Sequence, residues 1–311
     1  MKSERLSIHP AMTSILASLL LIGLTEFGPS HGRTLSESEA ENVVSFYASV
    51  TGASGIPIDD LKIEDFQVYE NNKPQKLASL VFEKSVPISV GVLVDISRTM
   101  TGERIGMALE LVKALAEKLS SPDELFVFDF SEDTQEIVDY VSPEDYLDDP
   151  LKHLSTGGPS RTGLAVDLGL IKLREARNPK RVLFILSTGL DIAGPATLDH
   201  IARFRYPIFA LGLKGGAGLS GTLARLKSLN VKGSALKVYA EHSGGNALFV
   251  ESMQEARRAL DQLVFDFKNQ YRLEYVSSNA KRDGKVRKIE VKIADSALEV
   301  RFLKKYQAPR H

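Results

Sequence analysis

Residues 88–94 are apolar except for Ser89, and the run stops at Asp95. A Val- and Ile-rich run with so little alternation suits a strand buried on both faces, as at the centre of a parallel sheet. A hydroxyl-rich loop follows, and then residues 102–120 place Ile105, Leu109, Val112, Leu115, Ala116 and Leu119 at helical spacing. Strand and helix patterns continue to alternate. Strands are predicted at 124–130, 181–186, 207–211 and 247–250, with 135–140 a short antiparallel neighbour of the first. Helices are predicted at 162–176, 196–203, 222–229, 235–242 and 253–269. Such alternation indicates an α/β unit over residues 86–269, a doubly wound and mostly parallel sheet.

Both flanks read differently. Residues 43–50 alternate as a strand, 66–70 form a second, Asn71-Asn72 a hairpin turn and 76–83 a third. At the other end, 271–276, 287–293 and 298–303 read as strands, with Arg282-Asp283-Gly284 a hairpin-type turn. Neither flank can bury its apolar face alone. The expectation is that residues 42–85 and 270–307 pair into one β-sandwich into which the α/β unit is inserted.

The first 41 residues fit neither region. Lys2 and Arg5 precede an apolar stretch at 11–24 and a breaker segment at 25–29, the form of a secretory signal. Residues 1–32 are thus expected to be a signal peptide and 33–41 a polar linker, which places the protein outside the cell or in the cell envelope. The apolar core is shorter than the ~20 residues of a spanning helix, so a membrane anchor at 11–24 is the alternative, with a buried helix a further one.

Composition narrows the chemistry. A net charge of -1 gives no general attraction to nucleic acid or anionic membrane. With no cysteine, disulfides, thiolate metal sites and a cysteine nucleophile are excluded. Six scattered histidines form no H-E-x-x-H pair, and no G-x-S-x-G elbow is present. Residues 216–221 (GAGLSG) match G-x-G-x-x-G, but after a late strand, and no strand ending in Asp or Glu follows at about 20 residues. A glycine-rich loop is the simpler reading. Residues 142–149 (SPEDYLDD) lack the spacing of a calcium loop and read as solvated surface.

Asp95, Ser97 and Thr99 are spaced by two just beyond the central strand. In open α/β sheets ligands bind beyond the carboxyl ends of the strands, and small oxygen ligands suit a hard divalent cation. The competing reading is that Asp95 ends a strand and Ser97 or Thr99 caps the next helix.

The stretch VGVLVDISRTM resembles the metal-site loop of von Willebrand factor type A domains, D-x-S-x-S, with Thr99 in the place of the last serine. Further matches are GGPSRTGLAVDLG, which supplies Thr162 on the expected loop, AEHSGGNALFV before a late strand, and the β segments on either side, which resemble a group of exported bacterial proteins. One position departs. Where the family has an aspartate, RVLFILSTGLD has Thr188, with Asp191 three residues on.

The resemblance implies a site for Mg²⁺ or Mn²⁺ made by Asp95, Ser97, Thr99 and Thr162, with Asp191 or Thr188 nearby. It also implies a partner protein that presents an Asp or Glu side chain to the ion. The expected function is an exported protein-binding, adhesion-type module and not an enzyme. The alternatives are a metal-free scaffold of the same fold and a dinucleotide enzyme using 216–221.

Overall fold

A computed structural model describes residues 42–310 apart from 54, 85, 147–150, 152 and 215–233. It opens with β1 (Val43–Thr51), β2 (Phe66–Glu70), β3 (Lys73–Gln75) and β4 (Leu77–Glu83). An alternating series follows: β5 (Ile88–Asp95), α1 (Glu103–Ala116), β6 (Glu124–Phe130), β7 (Thr134–Val141), α2 (Thr162–Lys172) and β8 (Lys180–Ser187). It continues through α3 (Pro195–Phe204), β9 (Ile208–Leu213), α4 (Ala235–Ser243), β10 (Ala247–Val250) and α5 (Met253–Lys268). The last strands are β11 (Gln270–Val276), β12 (Val286–Ile293), β13 (Glu299–Phe302) and β14 (Lys305–Gln307).

The alternating series forms one six-stranded sheet in the order β10-β9-β8-β5-β6-β7. All neighbours are parallel except β7, which runs antiparallel to β6. Every residue of β5, β6 and β9 is buried, because helices cover both faces. Val90, Val92 and Val94 pack with α1 and α5, through residues such as Leu111 and Leu260. Leu93, Leu183 and Ile185 face the other way, onto Val166 of α2, Ile201 of α3 and Tyr239 of α4.

The flanking strands build two four-stranded antiparallel sheets, β13-β1-β11-β4 and β14-β12-β2-β3. Each takes strands from both flanks, and Phe46, Leu273 and Tyr275 of one share a core with Val68, Val291 and Tyr306 of the other. This is the expected sandwich with the α/β series inserted. Its centre is polar at one point. Glu70, 3% exposed, accepts hydrogen bonds from Tyr306 Oη (2.7 Å), Ser277 Oγ (3.0 Å), Tyr275 Oη (3.1 Å) and Arg287 Nη1 (3.2 Å). A buried charge needs such satisfaction, and here it ties the two sheets together.

Several local expectations are corrected. Positive φ at Asn71 and Asn72 makes the turn, but the returning strand β3 pairs with β2 only as far as Gln75. The chain then changes sheets, so β4 pairs with β11 instead. Residues 282–284 form no turn: Asp283 pairs with Arg310 in line with β12 and β14, with Gly284 at φ 65, and since β11 and β12 lie in different sheets the link is a crossover rather than a hairpin. α1 ends at Ala116, and its buried stripe runs through Met107, Ala108 and Leu111, leaving Ile105 and Leu109 only half-buried. The helix expected at 222–229 and the segment 1–41 lie outside the described residues.

The Gly244-Gly245 pair fixes the junction between sheet and sandwich. Gly244 ends α4 at φ 84, and a Cβ there would meet Leu303 N at 2.7 Å. A Cβ on Gly245 would stand 1.9 Å from the Ile208 carbonyl oxygen. No larger residue allows β9 and β13 to approach α4 this closely.

Candidate metal centre

The chain leaves β5 for β6 on one side and later returns to β8 on the other, so the carboxyl ends of β5 and β8 flank the point where strand order reverses. Crevices there are the usual ligand sites of such sheets. Asp95 is the last residue of β5 and Ser187 the last of β8, and Ser187 Oγ donates to Asp95 Oδ2 at 2.5 Å.

Beyond Asp95 the chain turns on its own side chain, with Ser97 N donating to Asp95 Oδ1 at 2.8 Å. The Ser97 and Thr99 hydroxyls lie 2.9 Å apart, and that of Thr99 lies 3.0 Å from the Thr188 hydroxyl. Buried Met100 pins the loop from below. Ser97 stands at the N-cap position of the short helical turn Arg98–Met100 but its side chain makes no cap bond, and α1, which starts after Gly102, has no side-chain cap either. The capping alternative is therefore set aside, and the hydroxyls face the crevice loops.

The second loop is held against the first by its backbone. Gly157 N donates to Ile96 O at 2.8 Å, and Arg98 N donates to Gly158 O at 3.0 Å. This contact carries Ser160 to the site, where its Oγ donates to Asp95 Oδ2 at 3.2 Å and lies 3.2 Å from Thr162 Oγ1. Thr162, fully buried, is the first residue of α2. The five expected site residues thus divide into three placements. Asp95, Ser97 and Thr99 form one cluster. Thr162 joins it through Ser160. Asp191 instead accepts from Thr162 N at 2.8 Å through Oδ2, compensating the free amide at the start of α2.

Asp95 is 0% exposed, and burial pushes its pKa up against the opposing hydrogen bonds from Ser187, Ser97 and Ser160. None of those partners is a cation. Behind the loop, Arg104 is 2% exposed; its Nη1 donates to the Thr99 carbonyl at 3.1 Å, while Nε and Nη2 have no partner among the described residues. Burial lowers its pKa as well. Among the described residues no three His, Cys, Asp or Glu side chains are grouped to hold a metal.

The donor set is hydroxyls around one carboxylate. Those atoms fit a hard cation in kind, since Mg²⁺ and Mn²⁺ take neutral and anionic oxygens. An uncompensated buried carboxylate is also the group a cation would neutralise. The rim is partly apolar: Ile192 is 87% exposed next to Asp191, and Leu164 is 40% exposed near the start of α2.

Ser160, Ser187 and Arg104 were not singled out by the sequence. Ser160 carries a signal that could have found it, the same spacing of two from Thr162 that separates Ser97 from Thr99. Arg104 carries none, because an arginine early in an amphipathic helix reads as solvated.

No protein-family model matches the chain, and no curated protein does either. Solved structures do. The chain is similar to BatB from Bacteroides thetaiotaomicron, with 15% identity and a TM-score of 0.45 over 58% of this chain and 98% of that one. It is similar to the pilus adhesin SpaC from Lactobacillus rhamnosus GG, with 11% identity and a TM-score of 0.44 over 85% of this chain and 49% of that one. The solved structures similar to it also include a von Willebrand factor type A protein from Catenulispora acidiphila, at 10% identity and a TM-score of 0.47 over 86% of this chain and 74% of that one.

Proposed function

We propose that this chain is an exported protein-binding module, not an enzyme, that engages an acidic side chain of a partner protein at the crevice beyond β5 and β8. The observation that carries this reading is Asp95: a fully buried carboxylate with no cationic partner among the described residues that joins the hydroxyls of two separate loops. Ser97, Thr99 and Thr162 would hold Mg²⁺ or Mn²⁺ together with Asp95. Asp191 keeps α2 in place through the Thr162 amide. The bound ion would supply a positive charge poorly compensated by its neutral ligands, and so attract a carboxylate. Exposed Ile192 and Leu164 would give the partner apolar contact beside that charge.

Export rests on the segment 1–32, which lies outside the described residues. No described helix is long and apolar enough to cross a membrane. The glycine loop at 216–221 is likewise outside them. The segment about 20 residues beyond it is α4, a helix, so the dinucleotide reading lacks its acidic strand end.

Calorimetric titration with Mn²⁺ and Mg²⁺ tests the proposal. Saturable heat with wild type and none with Asp95→Ala is expected. Absence of heat and of any thermal shift, with the two proteins indistinguishable, would remove the ion. The scaffold reading would then stand, favoured by the Thr99–Thr188 bond and by the commitment of Asp191 to α2.

A further inference from the structure

A second polar site lies at the other end of β8, roughly 23 Å from Thr188 at ~3.3 Å per residue. There, where the sandwich meets the underside of the parallel sheet, is a cavity of about 530 Å³. Tyr47 and Glu83 line it from the sandwich and Arg181, Arg203 and Arg205 from the α/β unit, with Arg272 of β11 beside them. That volume is in the range of small-molecule sites.

The charges there do not balance. Arg272 is matched, with Nε donating to Glu83 Oε1 at 2.7 Å and a second pairing to Glu274. Arg181 is held rigidly, but only by neutral acceptors: Nε to the Asn178 carbonyl at 3.1 Å, Nη1 to Tyr206 Oη at 2.8 Å and Nη2 to the Ala176 carbonyl at 2.9 Å. Arg203 and Arg205 rest on the ring faces of Phe204 and Tyr306, at 5.6 and 5.4 Å. None of these three forms an ion pair with a described carboxylate. Glu83, the acid in the wall, is already occupied by Arg272 and by the Tyr47 hydroxyl at 3.0 Å.

Arg205 adds an independent oddity. It ends α3 with φ at 62, in the left-handed region that glycine adopts freely and arginine does not. That conformation closes α3, with Arg205 N donating to Ile201 O at 2.9 Å, and it turns the guanidinium onto Tyr306 with no described carboxylate paired to it. Burial also holds its pKa below the usual guanidinium range, the response of a desolvated cation lacking a counterion.

We propose that this cavity binds a compact, multiply charged oxyanion, with Arg181 as the fixed cation and Arg203 and Arg205 as the groups that close on the ligand. Phosphate and carboxylate oxygens both match the planar guanidinium fork, so this shared chemistry defines the ligand class. The site shares no residue with the crevice beyond β5 and does not depend on it.

The test is calorimetry on the full chain with pyrophosphate and with citrate, against sodium chloride at matched ionic strength. Saturable binding is expected, weakened at least tenfold in Arg203→Gln/Arg205→Gln. Arg203→Gln alone, at an exposed position, serves as a folding-safe variant with a smaller loss. Tighter binding of pyrophosphate would assign a phosphoryl ligand, and tighter binding of citrate a polycarboxylate. No saturable binding of either, or equal affinity in the double variant, would overturn the proposal.

Discussion

The hydroxyls of Thr99 and Thr188 lie 3.0 Å apart and join the loop after β5 to the loop after β8. Thr188 stands where the resembled family has an aspartate, and its side chain meets the very loop that such an aspartate would serve. The contact puts the Thr188 side chain at the same crevice as Thr99.

Restoring that charge should strengthen cation binding. Thr188→Asp adds a second carboxylate beside Asp95 and is expected to lower the Mn²⁺ dissociation constant at least tenfold, about 1.4 kcal/mol. Without cation the same variant should be less stable than wild type, because two buried like charges then face each other. A titration with unchanged affinity would show that residue 188 does not face the ion.

Lys180 gives a pH signature. It is 1% exposed, its Nζ has no hydrogen-bond partner among the described residues, and it lies 5.0 Å from the centre of the Tyr47 ring. Burial lowers its pKa to about 8, opposed by Glu83 and Asp266. The unfolded chain holds this proton up to the ordinary lysine range. Between about pH 8 and 10.5 the unfolded state thus binds more protons, and stability rises with pH. Lys180→Met should be more stable than wild type at pH 7, by roughly 2–3 kcal/mol, and the gap should close as pH climbs through that window. Denaturant midpoints at several pH values check this; a gap independent of pH would contradict it.

The Glu70 network predicts strong coupling. Arg287 and Glu70 are both 3% exposed and within 3.2 Å. Arg287→Met strands a buried carboxylate and should cost about 3–5 kcal/mol. Adding Glu70→Gln removes that charge, so the double variant should be less destabilised than the sum of the two single variants. Urea denaturation of all four proteins reads the coupling, and simple additivity would refute it.

The fold was legible where one physical signal dominated. Strands β6, buried throughout, and β10, an apolar edge strand, are bounded in the sequence as they are in the structure, because apolar runs between turn residues leave little choice. The sandwich was inferable from unpaired apolar faces on both flanks. What escaped depends on partners far away in the chain. The change of sheet at Lys76 is set by pairing with β11, almost two hundred residues later, and β14 is too short for any periodicity. At the crevice, Asp95, Ser97 and Thr99 were readable from spacing. The attachment of Asp191 to α2 was not, since a carboxylate four residues past a strand can serve either an ion or a helix start.

The way into the α/β unit and the way out of it are one rung of a ladder. Glu83, at the end of β4, pairs directly with Gln270, at the start of β11. Everything between them, crevice included, hangs from two adjacent strands held side by side. The sandwich would need only a tight connection across that rung to close on itself. The intervening cassette is therefore topologically separable, open to excision or exchange without rethreading a single strand of its host.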